Sequence, residues 1–289
     1  SWQFGKDYSP VMLPDAKENT VGNAYVSWEK VRKQNYGIDL VMFHQQLSIT
    51  ADYFREYRYD ILSKRNTLPA ITDIQLPLVN LGEVGNHGYE VSVGWTSKVS
   101  DFEYYVKGNI SFSRNKIIFM DEVQPNYPWM AQTGRITGMH YGYLFDRFLT
   151  QDDFDADGNI LQYDAAGNVI PSMSIGSPRP GDSLFKDLNG DGKVDGDDCT
   201  WYGYSDRPEY VSGFLAGFNW KGIGVSMQWT GAWNASRVLD GEMRIPFGSQ
   251  NSRTLLTYLA DNRWTPDNPY ARFPRITFLN KTHYITASD

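Results

Sequence analysis

Tyr89-Glu90-Val91-Ser92-Val93-Gly94-Trp95-Thr96 decides the fold class. Apolar residues at every second position put Tyr89, Val91, Val93 and Trp95 on one face of a strand, and Glu90, Ser92, Gly94 and Thr96 on the other. The next segment repeats the pattern, Phe102, Tyr104, Val106, Ile110 and Phe112 opposing Glu103, Lys107, Asn109, Ser111 and Ser113. Further on, Phe214, Ala216, Phe218 and Trp220 alternate with Gly213, Gly217 and Asn219, then Ile223, Val225, Met227 and Trp229 with Gly224, Ser226, Gln228 and Thr230. Upstream, Ile38, Leu40 and Met42 lead into Leu47, Ile49 and Tyr53, opposed by Ser48, Thr50 and Asp52. A period of two recurs while helical periodicity is nearly absent, so the chain is expected to be all-β. Only Ser252–Trp264, through Leu255, Leu256, Leu259 and Trp264, reads as a short amphipathic helix, and Pro266 stops it.

The links between these strands are unequal in a regular way. His44–Gln46, Thr96–Asp101 and Lys221-Gly222 are short turns, whereas 55–88, 114–209 and 231 onward are long and rich in Gly, Pro, Asp and Asn. Strands of about ten residues with one aromatic-apolar face and one polar face, joined alternately by short turns and long loops, point to an antiparallel transmembrane β-barrel with periplasmic turns and extracellular loops. A soluble β-sandwich also alternates, but it has little room for an excursion the length of 114–209. The lipid-facing set is then Tyr89, Val91, Val93, Trp95, Phe102, Tyr104, Val106, Phe214, Phe218, Val225, Met227 and Trp229.

Composition agrees and excludes other classes. Among 289 residues, aromatics reach 15%, more than a soluble core requires. No run of eighteen apolar residues exists for a membrane helix. One cysteine, Cys199, rules out an internal disulfide and any zinc-finger spacing, and a net charge of -7 argues against a nucleic-acid partner. The chain opens at Ser1-Trp2 without an initiator Met and stops in a strand-like run, and is read as an internal piece of a longer protein.

One motif carries chemistry. Asp187 to Asp198 matches a twelve-residue calcium loop, with side-chain oxygens from Asp187, Asn189, Asp191, Asp195 and Asp198, the carbonyl of Lys193, and Gly192 at the sharp turn. Position 12 is Asp rather than Glu, which shortens its reach, and the expected Ca²⁺ is structural. Phe154-Asp-Ala-Asp-Gly158-Asn159-Ile160 is echoed by Tyr163-Asp-Ala-Ala-Gly167-Asn168-Val169, a tandem of two small hairpins. His44, His87, His140 and His283 are scattered and the Asp121-Glu122 pair sits in a loop, so no catalytic residue is proposed and the chain is not expected to be an enzyme. Tyr127, Trp129, Tyr141, Tyr143, Trp201 and Tyr202 are candidates for stacking on a substrate or partner.

Several blocks resemble the late barrel of SusC/RagA-type TonB-dependent outer-membrane transporters of Bacteroidetes. They are Trp28-Glu29 through Asn35-Tyr-Gly37-Ile-Asp39 into Asp52-Tyr53-Phe54 and Asp60-Ile61-Leu62; Asn80-Leu-Gly82 through Asn86-His-Gly88-Tyr-Glu90; Pro180-Gly181-Asp182 through Lys186-Asp187-Leu-Asn189-Gly-Asp191-Gly192; and Arg263-Trp264-Thr265-Pro266 through Asn268-Pro269 to Pro274-Arg275. The resemblance implies that 1–289 is part of a barrel of about 22 strands, with the plug and closing strands outside it, and with 114–209 an extracellular loop region carrying the 187–198 calcium loop. It further implies import of glycans or peptides across the bacterial outer membrane, driven by TonB, in partnership with a SusD-like lipoprotein. The rival reading is a secreted, calcium-stabilised β-protein that binds or degrades carbohydrate.

Overall fold

The computed structural model describes residues 22–65, 77–173, 178–239 and 254–276. Its main body is one antiparallel sheet of six strands: β1 (Lys30–Met42), β2 (Leu47–Ser63), β3 (Val79–Val99), β4 (Phe102–Phe119), β11 (Tyr210–Trp220) and β12 (Ile223–Trp233). Between β4 and β11 lie six short strands: β5 (His140–Gly142), β6 (Phe145–Phe148), β7 (Ser172–Met173), β8 (Ser183–Phe185), β9 (Lys193–Val194) and β10 (Thr200–Tyr202). A five-residue helix, α1 (Thr257–Asp261), follows β12. The sheet is an open arc, with β1 and β12 as its edges among the described residues.

Register converts the alternation of each strand into a two-faced sheet. Leu40, Ile49, Val93, Gly108, Phe214 and Trp229 stand opposite one another across all six strands. One residue away, Asp39, Thr50, Ser92, Asn109, Gly213 and Thr230 form the matching row on the other face. A slip of one residue anywhere would exchange the faces, so the shared pattern pins the pairing. The whole lipid-facing set expected from sequence falls on the first face. Phe214, Met227 and Trp229 remain 43–54% exposed, as a surface that meets hydrocarbon rather than protein requires.

The buried core lies elsewhere. Phe273, Leu149, Leu259 and Asp198 are the largest fully buried side chains, and all belong to the long connections. No helix among the described residues is long and apolar enough to cross a membrane, so any crossing is by strands.

The strands are longer than the sequence reading allowed, which shortens the links. β2 continues to Ser63 and β3 begins at Val79, so the expected 55–88 link shrinks to 64–78; β4 reaches Phe119, so 114–209 becomes 120–209; and β12 ends at Trp233. Tyr, Val and Ile beyond the apolar band keep the β pattern going although their polar neighbours weaken the alternation. The short ends are tighter than expected. β3 runs to Val99, leaving Ser100-Asp101 as the turn, and Lys221-Gly222 have φ of 45° and 88°, a primed two-residue turn that suits glycine at its second position. The expected helix at 252–264 is present only as Thr257–Asp261, because Leu256 is already extended; residues 252 and 253 lie outside the described residues.

The two faces should differ in their tolerance of charge. Val93→Arg, in the middle of the apolar band, is expected to cost about 2–4 kcal/mol, and Asn109→Arg on the opposite face well under 1 kcal/mol. Reversible unfolding of the full-length protein from lipid vesicles measures both, and equal costs would contradict the assignment of faces.

Candidate functional site

All three long connections leave the same end of the sheet, and the 120–209 connection folds there into a platform with its own packing. It starts where Ile117 of β4 accepts from the N–H of Gly134 and donates to the carbonyl of Arg135, at 2.8 and 2.9 Å. Glu122 then closes the turn by accepting from the N–H groups of Gln132 and Thr133 and from the Thr133 hydroxyl, at 2.5, 2.9 and 2.7 Å. Burial would raise this carboxyl, but the three donors outweigh it and hold it below the usual carboxylate value.

The aromatic candidates divide into separate pairs. Tyr127 and Trp129 stack with centroids 4.5 Å apart, and Tyr141 of β5 meets Trp201 of β10 at 4.9 Å across their two-stranded sheet. Tyr202, one residue on, turns to His140, while Tyr143 packs on Phe185 at 5.6 Å. Both indole N–H groups are used internally: Trp129 donates to the carbonyl of Asp197 and Trp201 to that of Met130, each at 2.9 Å. What these residues can offer a ligand is therefore ring face, with Tyr141 the exposed member.

The same indole bond ties the aromatics to the acidic loop. In 187–198 each side chain turns an oxygen back onto the chain: Asp187 accepts from Gly190 and Gly192, Asn189 from Asp191, Asp191 from Lys193, and Asp195 from Asp197, at 2.6–2.9 Å. These are Asx-type turns built from hard oxygen donors. Asp198, wholly buried, accepts from Leu188, Asn189 and Asp195. Among the described residues, however, no three His, Cys, Asp or Glu side chains are gathered as a coordination sphere.

Beneath the loop lies a small apolar core of Leu149, Phe154, Ile170 and Leu184. The two Gly-Asn hairpins stand on it with matching geometry: Asp155 accepts from the Asn159 N–H at 2.7 Å, and Asp164 from that of Asn168 at 2.8 Å. At its edge Arg147 grips Asp153 with two bonds of 2.6 and 2.8 Å, and Asp153 also caps the turn at Thr150. Burial acts to raise the Asp153 carboxyl, and the Arg147 fork with the Thr150 N–H brings it below the ordinary value. A second clamp joins two different connections. Asp182 receives Arg275 at 2.6 and 3.2 Å, 93 residues away in sequence. Beside it Gly181, at φ +88°, lies against the ring of Trp264, leaving no space for a side chain.

The polar sheet face lies opposite the apolar one. Its curvature encloses a concavity of about 390 Å³, lined by Thr50, Ser92, Lys107, Asn109 and Gln228 among others. Glycines make the close approaches here; the ring of Phe54 lies over buried Gly88, where a Cβ would meet it and the carbonyl of Phe112. Sequence reasoning missed both clamps: Arg147–Asp153 is local but follows no helical or strand spacing, and Asp182–Arg275 joins loops 93 residues apart.

Comparison with known proteins agrees with this geometry. No family model matches the chain. The TonB-dependent receptors P3 and P26 of Formosa agariphila are 24% and 25% identical to it over 267 and 265 residues. The chain resembles a segment of a SusC/RagA-type TonB-dependent receptor. Each match covers 88% of this chain and 25% of the relative, so the chain spans about a quarter of the length of the relatives. Among solved structures, the RagAB peptide importer in its open-open state superposes with a TM-score of 0.59 at 18% identity, covering 93% of this chain and 28% of that one. A RagAB peptide transporter structure gives 0.56 at 20% identity, over 99% and 30%. The sheet thus has the fold of part of an outer-membrane β-barrel wall, open at β1 and β12 among the described residues.

The carboxylates make the platform acid-sensitive. Glu122, Asp153, Asp155 and Asp164 are all held below their ordinary values, so each contributes stability that is complete above that value and is lost as pH falls through the lowered one. Hydrogen exchange across 145–170 should rise below about pH 4 while the β3–β4 amides stay protected; a rise already near pH 6 would contradict this. Asp153→Asn should destabilise the platform by about 2–3 kcal/mol, below the cost of breaking a fully buried pair because Arg147 is one-third exposed.

Proposed function

We propose that this chain forms part of the wall and outer vestibule of a nutrient importer in the outer membrane, without catalytic chemistry of its own. The observation that carries the reading is the sheet's division into a face of apolar and aromatic side chains and a face of hydrogen-bonding ones, kept in register over six strands. The polar face would line the lumen through which substrate passes, and the long connections would lie outside the cell. The relatives are receptors rather than enzymes, and the superposed structures are of a peptide importer. The relatives' names support TonB as the source of energy and the superposed importer a peptide cargo; an oligosaccharide would be the alternative cargo, and a SusD-like lipoprotein would sit on the platform. A secreted carbohydrate-binding β-protein would need something to cover the apolar face, and nothing among the described residues packs on it.

Calcium belongs to the same proposal. A Ca²⁺ held by Asp187, Asn189, Asp191, Asp195, Asp198 and the Lys193 carbonyl would fix the loop whose Asp197 carbonyl anchors Trp129, and so stiffen the vestibule. Its role would be local, since the strand ladder carries the global hydrogen bonding.

Thiol labelling of intact cells expressing the full-length protein tests orientation and metal together. Asp157→Cys, on an exposed hairpin tip, should label at once. Cys199 follows the acidic loop directly and is half-buried, so it should label slowly until a calcium chelator frees the loop. In Asp191→Ala it should label rapidly without chelator. Protection of Asp157→Cys in intact but not in lysed cells would invert the topology, and a Cys199 rate indifferent to chelation would remove the calcium.

A further inference from the structure

Near the long connections the apolar face changes character abruptly. Tyr36, Tyr53, Tyr89, Phe112, Tyr210 and Trp233 form one row with a ring from every strand. From that row to the short turns the face carries no Asp, Glu, Lys or Arg among the described residues. The next two rows toward the long connections read Gln34, Arg55, His87, Arg114 and then Arg32, Tyr57, Gly85, Lys116. A charge-free band bounded by aromatics and then by cations is the profile of a membrane face passing into a headgroup layer.

Not all of these cations are free. Arg114 is neutralised by Glu209, which accepts from it at 2.7 and 2.5 Å, and Lys30, one row higher, by Asp60 at 2.7 Å. Glu83 of β3 accepts from the Tyr57 hydroxyl at 2.6 Å. Arg32, Arg55 and Lys116 are exposed and make no ion pair among the described residues; the guanidinium of Arg32 sits over the Tyr59 ring at 5.4 Å. The excess charge is one-sided. At the same level the lumenal face reads Lys33, Glu56, Asn86, Asn115, and Lys33 is paired with Glu56 at 2.7 Å.

We propose that Arg32, Arg55 and Lys116, with His87 between them, bind the phosphate groups of a phosphorylated glycolipid of the outer leaflet. Two guanidiniums and an ammonium on three strands of one rigid sheet present forked and point donors to phosphate oxygens, which they match in charge and geometry. The aromatic row just below supplies ring faces at the boundary between headgroup and acyl chain. The assignment of leaflet rests on the outward orientation proposed above.

Native mass spectrometry of the detergent-purified full-length receptor, titrated with bisphosphorylated lipid A, dephosphorylated lipid A, phosphatidylglycerol or inorganic phosphate, tests this. The expected result is retention of bisphosphorylated lipid A alone, reduced at least tenfold in Arg55→Gln/Lys116→Gln and unchanged in Lys33→Gln. Should the double variant fail to assemble, Arg55→Gln alone should show a smaller loss. Equal retention of the dephosphorylated lipid, no effect of the substitutions, or displacement by inorganic phosphate at the lipid's own concentration would overturn the proposal. Preference for phosphatidylglycerol would overturn the leaflet assignment, and labelling of Asp157→Cys separates that from a failure of orientation.

Discussion

Backbone hydrogen bonding in the absence of water is the constraint on which the rest depends. In hydrocarbon every N–H and C=O must find its partner in protein, so a strand is only as stable in the membrane as its register with two neighbours. Here β2, β3, β4 and β11 meet that demand on both sides in one continuous antiparallel ladder, and β1 and β12 are paired on one side among the described residues. Because side chains alternate, the same ladder decides which residues meet lipid and which meet water. Phe214 and Trp229 go to one side and Gln228 to the other for no reason beyond their position in it.

The sheet in turn dictates how the connections must be built. A barrel wall offers the loops no hydrophobic core to fold against, since one face is committed to lipid and the other to the lumen. The 120–209 connection therefore carries a core of its own around Leu149 and Leu184, and rims it with ion pairs and Asx turns. The loop after β12 repeats the solution with Leu259 and Phe273. Asp182 and Arg275 then join the two, a bond that makes one surface out of loops from different hairpins. An ordered vestibule is what a partner or substrate can recognise without a large ordering cost.

Strand identity and face were legible in the sequence because alternation is a local property; Tyr89 to Thr96 displays it without help from any neighbour. Strand ends were less so. β2 and β3 run on past the apolar band, where Arg55 to Ser63 and Val79 to His87 mix charge with β-formers and no longer alternate cleanly. The tandem hairpins were readable from Gly158 and Gly167, whose positive φ values are those the turn demands. The pairing of the six aromatic candidates was not, since Tyr141 and Trp201 are joined by a β-bridge across sixty residues of chain. The basic rim escaped notice for a related reason. Arg32, Arg55 and Lys116 form a cluster only once register has placed β1 to β4 side by side.

A nitroxide scan along β4 from Val106 to Phe112, in the full-length protein reconstituted in bilayers, tests the central claim most directly. Collision rates with oxygen, which concentrates in lipid, should peak at 106, 108, 110 and 112. Rates with a water-soluble nickel complex should peak at 107, 109 and 111. Protection of the even positions from both reagents would mean that the aromatic face is packed against protein, and would contradict the barrel.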